Sequence, residues 1–162
     1  VIAGYRTMKI RIGKQSDFSE WHRLRKLLFT DCESDELLRE IHSIYFDRNV
    51  VGELDYFVCV VGNDETKLCG FCETSLRKLD PFSQSGPVGY VESLFVESKY
   101  RMKGLAKGML VECEKWVRNN NCQEFWVDTE ERYPEALICY ENFGFTVIKR
   151  NDSEIILKKI LR

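Results

Sequence analysis

A mixed α/β architecture, with a mostly antiparallel sheet flanked by helices, is what this chain predicts, on three observations. Strand-like segments rich in β-branched and aromatic residues dominate residues 54–96, separated by turn-forming clusters. After residue 103 the apolar residues recur at helical spacing instead. A strand, a helix and a further strand then follow one another, the unit that builds a crossover. The 162 residues are 44% hydrophobic and 12% aromatic, enough to bury one core. Residues 8–162 are therefore expected to form a single domain, with residues 1–7 as a leader.

Each element has its own signal. Residues 8–12 alternate as Met-Lys-Ile-Arg-Ile and read as the first strand. Asp17 stands where a helix cap is expected, ahead of Phe18, Trp21, Leu24, Arg25 and Leu28 at helical spacing. A polar break at residues 31–35 precedes a second helix through Leu37, Leu38, Ile41, Ile44 and Tyr45. Residues 54–61 and 68–76 read as an antiparallel pair around a turn at residues 62–65. Prolines, serines and a glycine make residues 80–87 a loop, after which residues 88–96 form an apolar strand. Leu105, Met109, Cys113, Trp116 and Val117 draw one helical stripe, which Asn119, Asn120 and Asn121 end. Residues 124–128 read as a strand and residues 134–143 as a helix, with Gly144 as its left-handed stop. Residues 145–149 and 154–160 close the chain as a hairpin around Asn151 and Asp152.

Composition narrows the function. With 24 basic and 26 acidic residues the formal net charge is −2, which removes the diffuse positive field of a nucleic-acid or anionic-membrane binder. No apolar run reaches the roughly 18 residues needed to cross a bilayer. Residues 1–7 lack the hydrophobic stretch of a signal peptide, so a cytoplasmic location is expected. The seven cysteines are odd in number and the chain is large enough to need no covalent staples. Cys69 and Cys72 frame Gly70-Phe71, and strand alternation is expected to send their thiols to opposite faces. With only His22 and His42 to add imidazoles, no metal is expected.

The segment that carries chemistry is Val91-Glu92-Ser93-Leu94-Phe95-Val96, followed by a short loop and Arg101-Met102-Lys103-Gly104-Leu105-Ala106-Lys107-Gly108. A strand thus runs through a loop into a long amphipathic helix. The first turn of such a helix offers unpaired N–H groups and the positive end of the dipole. Gly104, Ala106 and Gly108 let a ligand approach closely, and Arg101, Lys103 and Lys107 add positive charge. Cations at that end oppose helix stability, so the arrangement asks for a phosphate. Neither a Walker loop nor a dinucleotide fingerprint is present.

Residues 101–106 resemble the Arg/Gln-x-x-Gly-x-Gly/Ala signature of the GCN5-related N-acetyltransferase family, and residues 136–145 resemble its Ala-x-x-x-Tyr-x-x-x-Gly-Phe ending. The resemblance implies a sheet that splays between residues 91–96 and residues 125–128, with the pantetheine arm of acetyl-CoA in the opening. It implies that backbone at Leu94 and Val96 positions the thioester. Arg101, Met102, Lys103, Gly104, Leu105, Ala106 and Lys107 would hold the pyrophosphate, and Tyr140 would protonate the leaving thiolate as general acid. No metal enters. The transfer would be direct, leaving Cys59 and Cys139 as core residues rather than nucleophiles.

A narrower resemblance concerns the acceptor. Residues 18–29, the strand Gly89-Tyr90-Val91-Glu92-Ser93-Leu94-Phe95-Val96 and the pair Asp128-Thr129 are similar to segments of aminoglycoside 6′-N-acetyltransferases, enzymes of antibiotic resistance. This implies a small polycationic amine substrate held by Trp21, Asp35, Glu36, Glu92 and Asp128, with Glu92 or Asp128 as the base. Glu33, Glu130, Glu131 and Glu135 extend the acidic character. A polyamine or a peptide amine is the alternative acceptor, and a non-catalytic acyl-CoA-binding module the alternative class. Relatives are often dimers, which leaves a homodimer open.

Overall fold

The computed structural model describes residues 8–50, 52–63, 66–79 and 86–162; the expected leader and most of the 80–87 loop lie outside them. In chain order the elements are β1 (Lys9–Ile12), α1 (Phe18–Leu28), α2 (Ser34–His42), β2 (Asp55–Gly62), β3 (Leu68–Arg77) and β4 (Val88–Val96). Next along the chain are α3 (Leu105–Asn119), β5 (Glu124–Thr129), α4 (Pro134–Phe143), β6 (Thr146–Arg150) and β7 (Ile155–Ile160). The strands form one sheet in the order β1-β2-β3-β4-β5-β7-β6. Every pairing is antiparallel except β4 with β5, which the crossover through α3 makes parallel.

Alternation along β2 divides the buried residues between two faces. Val58 and Val60 join Trp21, Leu24, Ile41, Ile44 and Phe71 beneath α1 and α2. Cys59 and Val61 join Met109, Leu110, Cys113, Val117, Phe125 and Tyr140 beneath α3 and α4. Phe71 and Phe125 are wholly buried; each such side chain contributes about 2 kcal/mol. Gly89 is required by packing, since a Cβ there would lie 2.4 Å from Val117 Cγ2.

Three irregularities interrupt the ladders, one of them at Ile148 in the β6–β7 hairpin and two nearer the opening. On β4 the partner of Glu73 is Ser93 and that of Thr74 is Val91, so Glu92 is an extra, bulged residue. Beyond that point β4 also parts from β5, whose last paired residue is Val127 opposite Val91. On β3, Gly62 pairs with Leu68 and Val61 with Gly70, which makes Cys69 a second bulge. This bulge corrects the expected separation of the two thiols: the phase shift sends Cys69 and Cys72 into the same core beneath α3, which also holds Cys59 and Cys113.

Two smaller expectations change. Asp17 precedes α1 but makes no side-chain cap to it. Its carboxylate instead takes both Arg11 Nη atoms at 2.7 Å and the Lys14 N–H at 2.7 Å. Burial pushes that carboxyl up, but these bonds outweigh it and hold it below the usual carboxylate range. The second helix ends at His42 and passes into a π-helical turn, Ser43–Asp47, which Arg48 closes at φ 54°.

Candidate active site

The opening between β4 and β5 has a defined lining. Glu97 N–H donates to Cys69 O at 2.8 Å, and Gly70 pairs with Val96. In an antiparallel ladder this makes Val96 and Leu94 the residues whose N–H and C=O groups point away from β3, toward the opening. Arg101 Nε donates to Val96 O at 2.8 Å, tying the following loop to the end of the strand.

That loop is held in unusual backbone geometry. Met102 has φ 61° and is 100% exposed, and Gly104 has φ 78° at the N-cap of α3. Among the described residues the N–H groups of residues 102–107 donate to no protein acceptor, the first bond of the helix being Gly108 N–H to Gly104 O. A Cβ at Gly104 would meet nothing within 4 Å, so the space above it is open. Lys103, Lys107 and Arg101 are exposed around these amides. Unsatisfied donors, a helix N-terminus and three cations together fit the pyrophosphate of acetyl-CoA.

Tyr140 lies on α4 with 6% of its surface exposed, and its hydroxyl has no hydrogen-bond partner among the described residues. Burial raises its pKa, with Cys72, Cys139 and Asp128 adding to the effect, so the phenol stays protonated at neutral pH.

The acidic groups lie on the α1–α2 side of the sheet. Glu92 is gripped by Arg77, through Nε at 2.6 Å and through Nη2, and also accepts from the Ser75 hydroxyl. Burial raises the Glu92 pKa, while Arg77 and Ser75 pull it back. Arg77 also lies 3.9 Å from Glu53 and stacks its guanidinium 4.1 Å from the centroid of Tyr90. The Tyr90 hydroxyl donates to Asp128 Oδ1 at 2.6 Å. Of the two expected bases, Asp128 is exposed with one oxygen open, whereas Glu92 is committed to Arg77.

Trp21 is placed elsewhere than expected. It is 0% exposed, and its indole N–H donates to Glu73 Oε1 at 2.8 Å. Glu73, itself 2% exposed, also takes Arg25 Nη1 at 2.6 Å on both oxygens, and Arg25 Nη2 pairs with Glu40. Trp21 therefore has no surface with which to touch an acceptor and acts as a support of this buried cluster. Asp35 and Glu36 lie exposed in the first turn of α2, and no bond joins them to the Glu92–Asp128 group among the described residues. Glu130 and Glu131, expected as further acidic lining, are paired with Arg132 and Arg150.

Sequence reasoning missed Arg77, Ser75, Glu53 and Glu73, and gave Tyr90 no role of its own. The spacing Glu73-x-Ser75-x-Arg77 was a usable signal, since alternate residues of a strand share a face. Among the described residues no group of three or more His, Cys, Asp or Glu side chains is arranged to hold a metal ion. No helix among them is long and apolar enough to cross a membrane.

Residues 18–145 match the acetyltransferase (GNAT) family. The chain belongs to that family and is an acetyl-CoA-dependent N-acetyltransferase, as its splayed sheet and amide-lined loop lead one to expect. It is 30% identical over 144 residues to an aminoglycoside N(6′)-acetyltransferase type 1 of Acinetobacter baumannii, across 88% of this chain and 94% of that relative. A shorter stretch of 73 residues is 36% identical to N-alpha-acetyltransferase 30 of Saccharomyces cerevisiae, covering 45% of this chain and 42% of that one. Among solved structures, AAC(6′)-Iy in complex with the bisubstrate analogue CoA-S-monomethyl-acetylneamine matches with a TM-score of 0.76 at 23% identity. That match covers 90% of this chain and 95% of the other, and at such identity it speaks for the fold.

Proposed function

We propose that this chain transfers the acetyl group of acetyl-CoA to the 6′-amine of an aminoglycoside, directly within a ternary complex. The observation that carries the reading is the opening between β4 and β5, with free amides at residues 102–107 at one end and the exposed Asp128 carboxylate beside it. The similarity to an aminoglycoside acetyltransferase over 88% of the chain supports the acceptor class.

Acetyl-CoA supplies an activated acyl group on a thiolate leaving group. The amides of residues 102–107 hold its pyrophosphate, with Arg101, Lys103 and Lys107 balancing the charge. The outward N–H groups of Leu94 and Val96 pair with the pantetheine arm as an added strand and polarise the thioester carbonyl. Asp128 accepts a proton from the acceptor ammonium, leaving a neutral amine to attack. Tyr140 donates its phenolic proton to the departing sulfur as the carbon–sulfur bond breaks; the attacking nitrogen then loses its second proton to solvent, from which the phenolate is reprotonated. Glu53, Glu92 and Asp128 outnumber Arg77 in this region, leaving a negative surface for a polycation, with Asp35 and Glu36 at its outer margin. The reaction needs neither nucleic acid nor membrane, and the seven free thiols agree with a cytoplasmic setting.

The test is thiol release from acetyl-CoA at neutral pH with kanamycin, tobramycin, spermidine and a short peptide as separate acceptors. Saturable turnover with the two aminoglycosides alone is expected. Turnover with the peptide alone would favour the reading suggested by the N-alpha-acetyltransferase similarity, and turnover with spermidine alone a polyamine acceptor. Tight acetyl-CoA binding with no turnover on any amine would leave a binding module.

A further inference from the structure

The backbone ladder between β4 and β5 ends at Val91 opposite Val127, one residue before Asp128. Asp128 therefore has no backbone partner on β4: its natural neighbour there, Glu92, is the bulged residue. Its main chain is fixed from the other side only, by Ile156 of β7. An exposed aspartate at such a point is free to turn about its own side-chain bonds. A single hydrogen bond restrains its carboxylate among the described residues, the 2.6 Å bond from the Tyr90 hydroxyl.

The donor, in contrast, is held on every side. Tyr90 is 7% exposed, and its backbone is paired with Ser75 on β3 and with Trp126 on β5. Its ring lies 4.1 Å from the Arg77 guanidinium, which Glu92 in turn grips with two hydrogen bonds. Tyr90 and Trp126 are directly opposed, and Asp128 is two residues past Trp126, so phenol and carboxylate meet on one face. The buried, doubly paired residue thus holds the exposed one.

We propose that Tyr90 is a positioning residue for Asp128: its hydroxyl takes up Oδ1 and aims Oδ2 at the acceptor amine. The short, charge-assisted bond closes by side chains the rung that the backbone leaves open. Arg77 and Glu92 act one step further back, by fixing the ring. This inference deepens the acetyl-transfer reading and rests on it.

A double-mutant cycle tests it, using Tyr90→Phe, Asp128→Asn and the pair, with kcat and both KM values measured on whichever amine the wild type acetylates. Tyr90→Phe is expected to lower kcat about tenfold through lost orientation, with KM for acetyl-CoA unchanged. In the Asp128→Asn background the same change is expected to have no further effect, because the group it positions is gone. An equal loss in both backgrounds would overturn the proposal, as would a Tyr90→Phe variant with wild-type kcat. A second measurement needs no turnover: in protein carrying 13Cζ-labelled tyrosine, the resonance assigned to Tyr90 is expected to move on Asp128→Asn. An unmoved Tyr90 signal overturns the hydrogen bond itself, while a moved signal without turnover on any amine would sink the enzymatic reading and leave the contact standing.

Discussion

Arg25 and Arg77 perform the same chemistry at two places on one face of the sheet, with opposite consequences. Arg25 binds Glu73 and Glu40 beneath α1 and α2, together with the Trp21 indole, and is itself buried. Arg77 binds Glu92 and lies near Glu53, but its neighbours Tyr90 and Asp128 reach the open end of the strands. The residues Glu73, Ser75 and Arg77 that lead from one cluster to the other alternate along a single strand. Cover decides the role. Where helices close over the charges, breaking a pair strands an ion in the core; where they do not, the same pair leaves its neighbours within reach of solvent.

The comparison is broken most sharply at Arg25. Arg25→Ala leaves Glu73 charged and unpaired, and is expected to cost about 3–5 kcal/mol of stability by urea unfolding, with kcat near wild type well below the melting temperature. A large loss of kcat in folded protein would place Arg25 in the catalytic group instead. Next comes Asp128→Asn, expected to lower kcat about a hundredfold with acetyl-CoA binding and the melting temperature unchanged. Trp21→Phe should remove only the indole bond to Glu73, costing about 1–3 kcal/mol. An unchanged KM for the acceptor amine is expected; a raised one would return Trp21 to the substrate wall.

The smallest effect concerns pH. Burial raises the pKa of Glu92 in the folded protein, so folding favours its acid form. The stability this group contributes is fully present below the ordinary carboxylate value of about 4.3 and is lost as pH rises through the raised value. Urea midpoints measured from about pH 4 to 7 are expected to fall less steeply for Glu92→Gln than for the wild type. Equal slopes would show that Arg77 and Ser75 already cancel the cost of burying the charge.

Elements bounded by strong punctuation were legible in the sequence. The helix from Pro134 to Phe143 begins with proline and stops at Gly144, whose φ of 109° no other residue adopts readily, and its limits read directly. The strand Val88–Val96 was equally plain, set between a proline-bearing loop and a basic turn. Hidden were the features that belong to two strands at once. A bulge at Glu92 or Cys69 is a matter of register, and register depends on a partner many residues away. The commitment of Glu92 to Arg77, the burial of Trp21 on Glu73 and the shared side of Cys69 and Cys72 all arise from such pairings. The single-residue patterns carried the basic loop at the start of α3; they carried much less of the carboxylate cluster around Glu92 and Asp128.

The bulge at Glu92 acts as a frame shift written into the chain itself. Tyr90 before it and Phe95 after it sit on the same face although an odd number of steps separates them, while Val91, Leu94 and Val96 belong to the opposite core. One strand thereby holds two reading frames. The upstream frame presents a phenol to an aspartate on the neighbouring strand, and the downstream frame turns the main chain of Leu94 and Val96 outward. Adding or removing a single residue between Tyr90 and Leu94 would leave each half locally well formed and the two out of step.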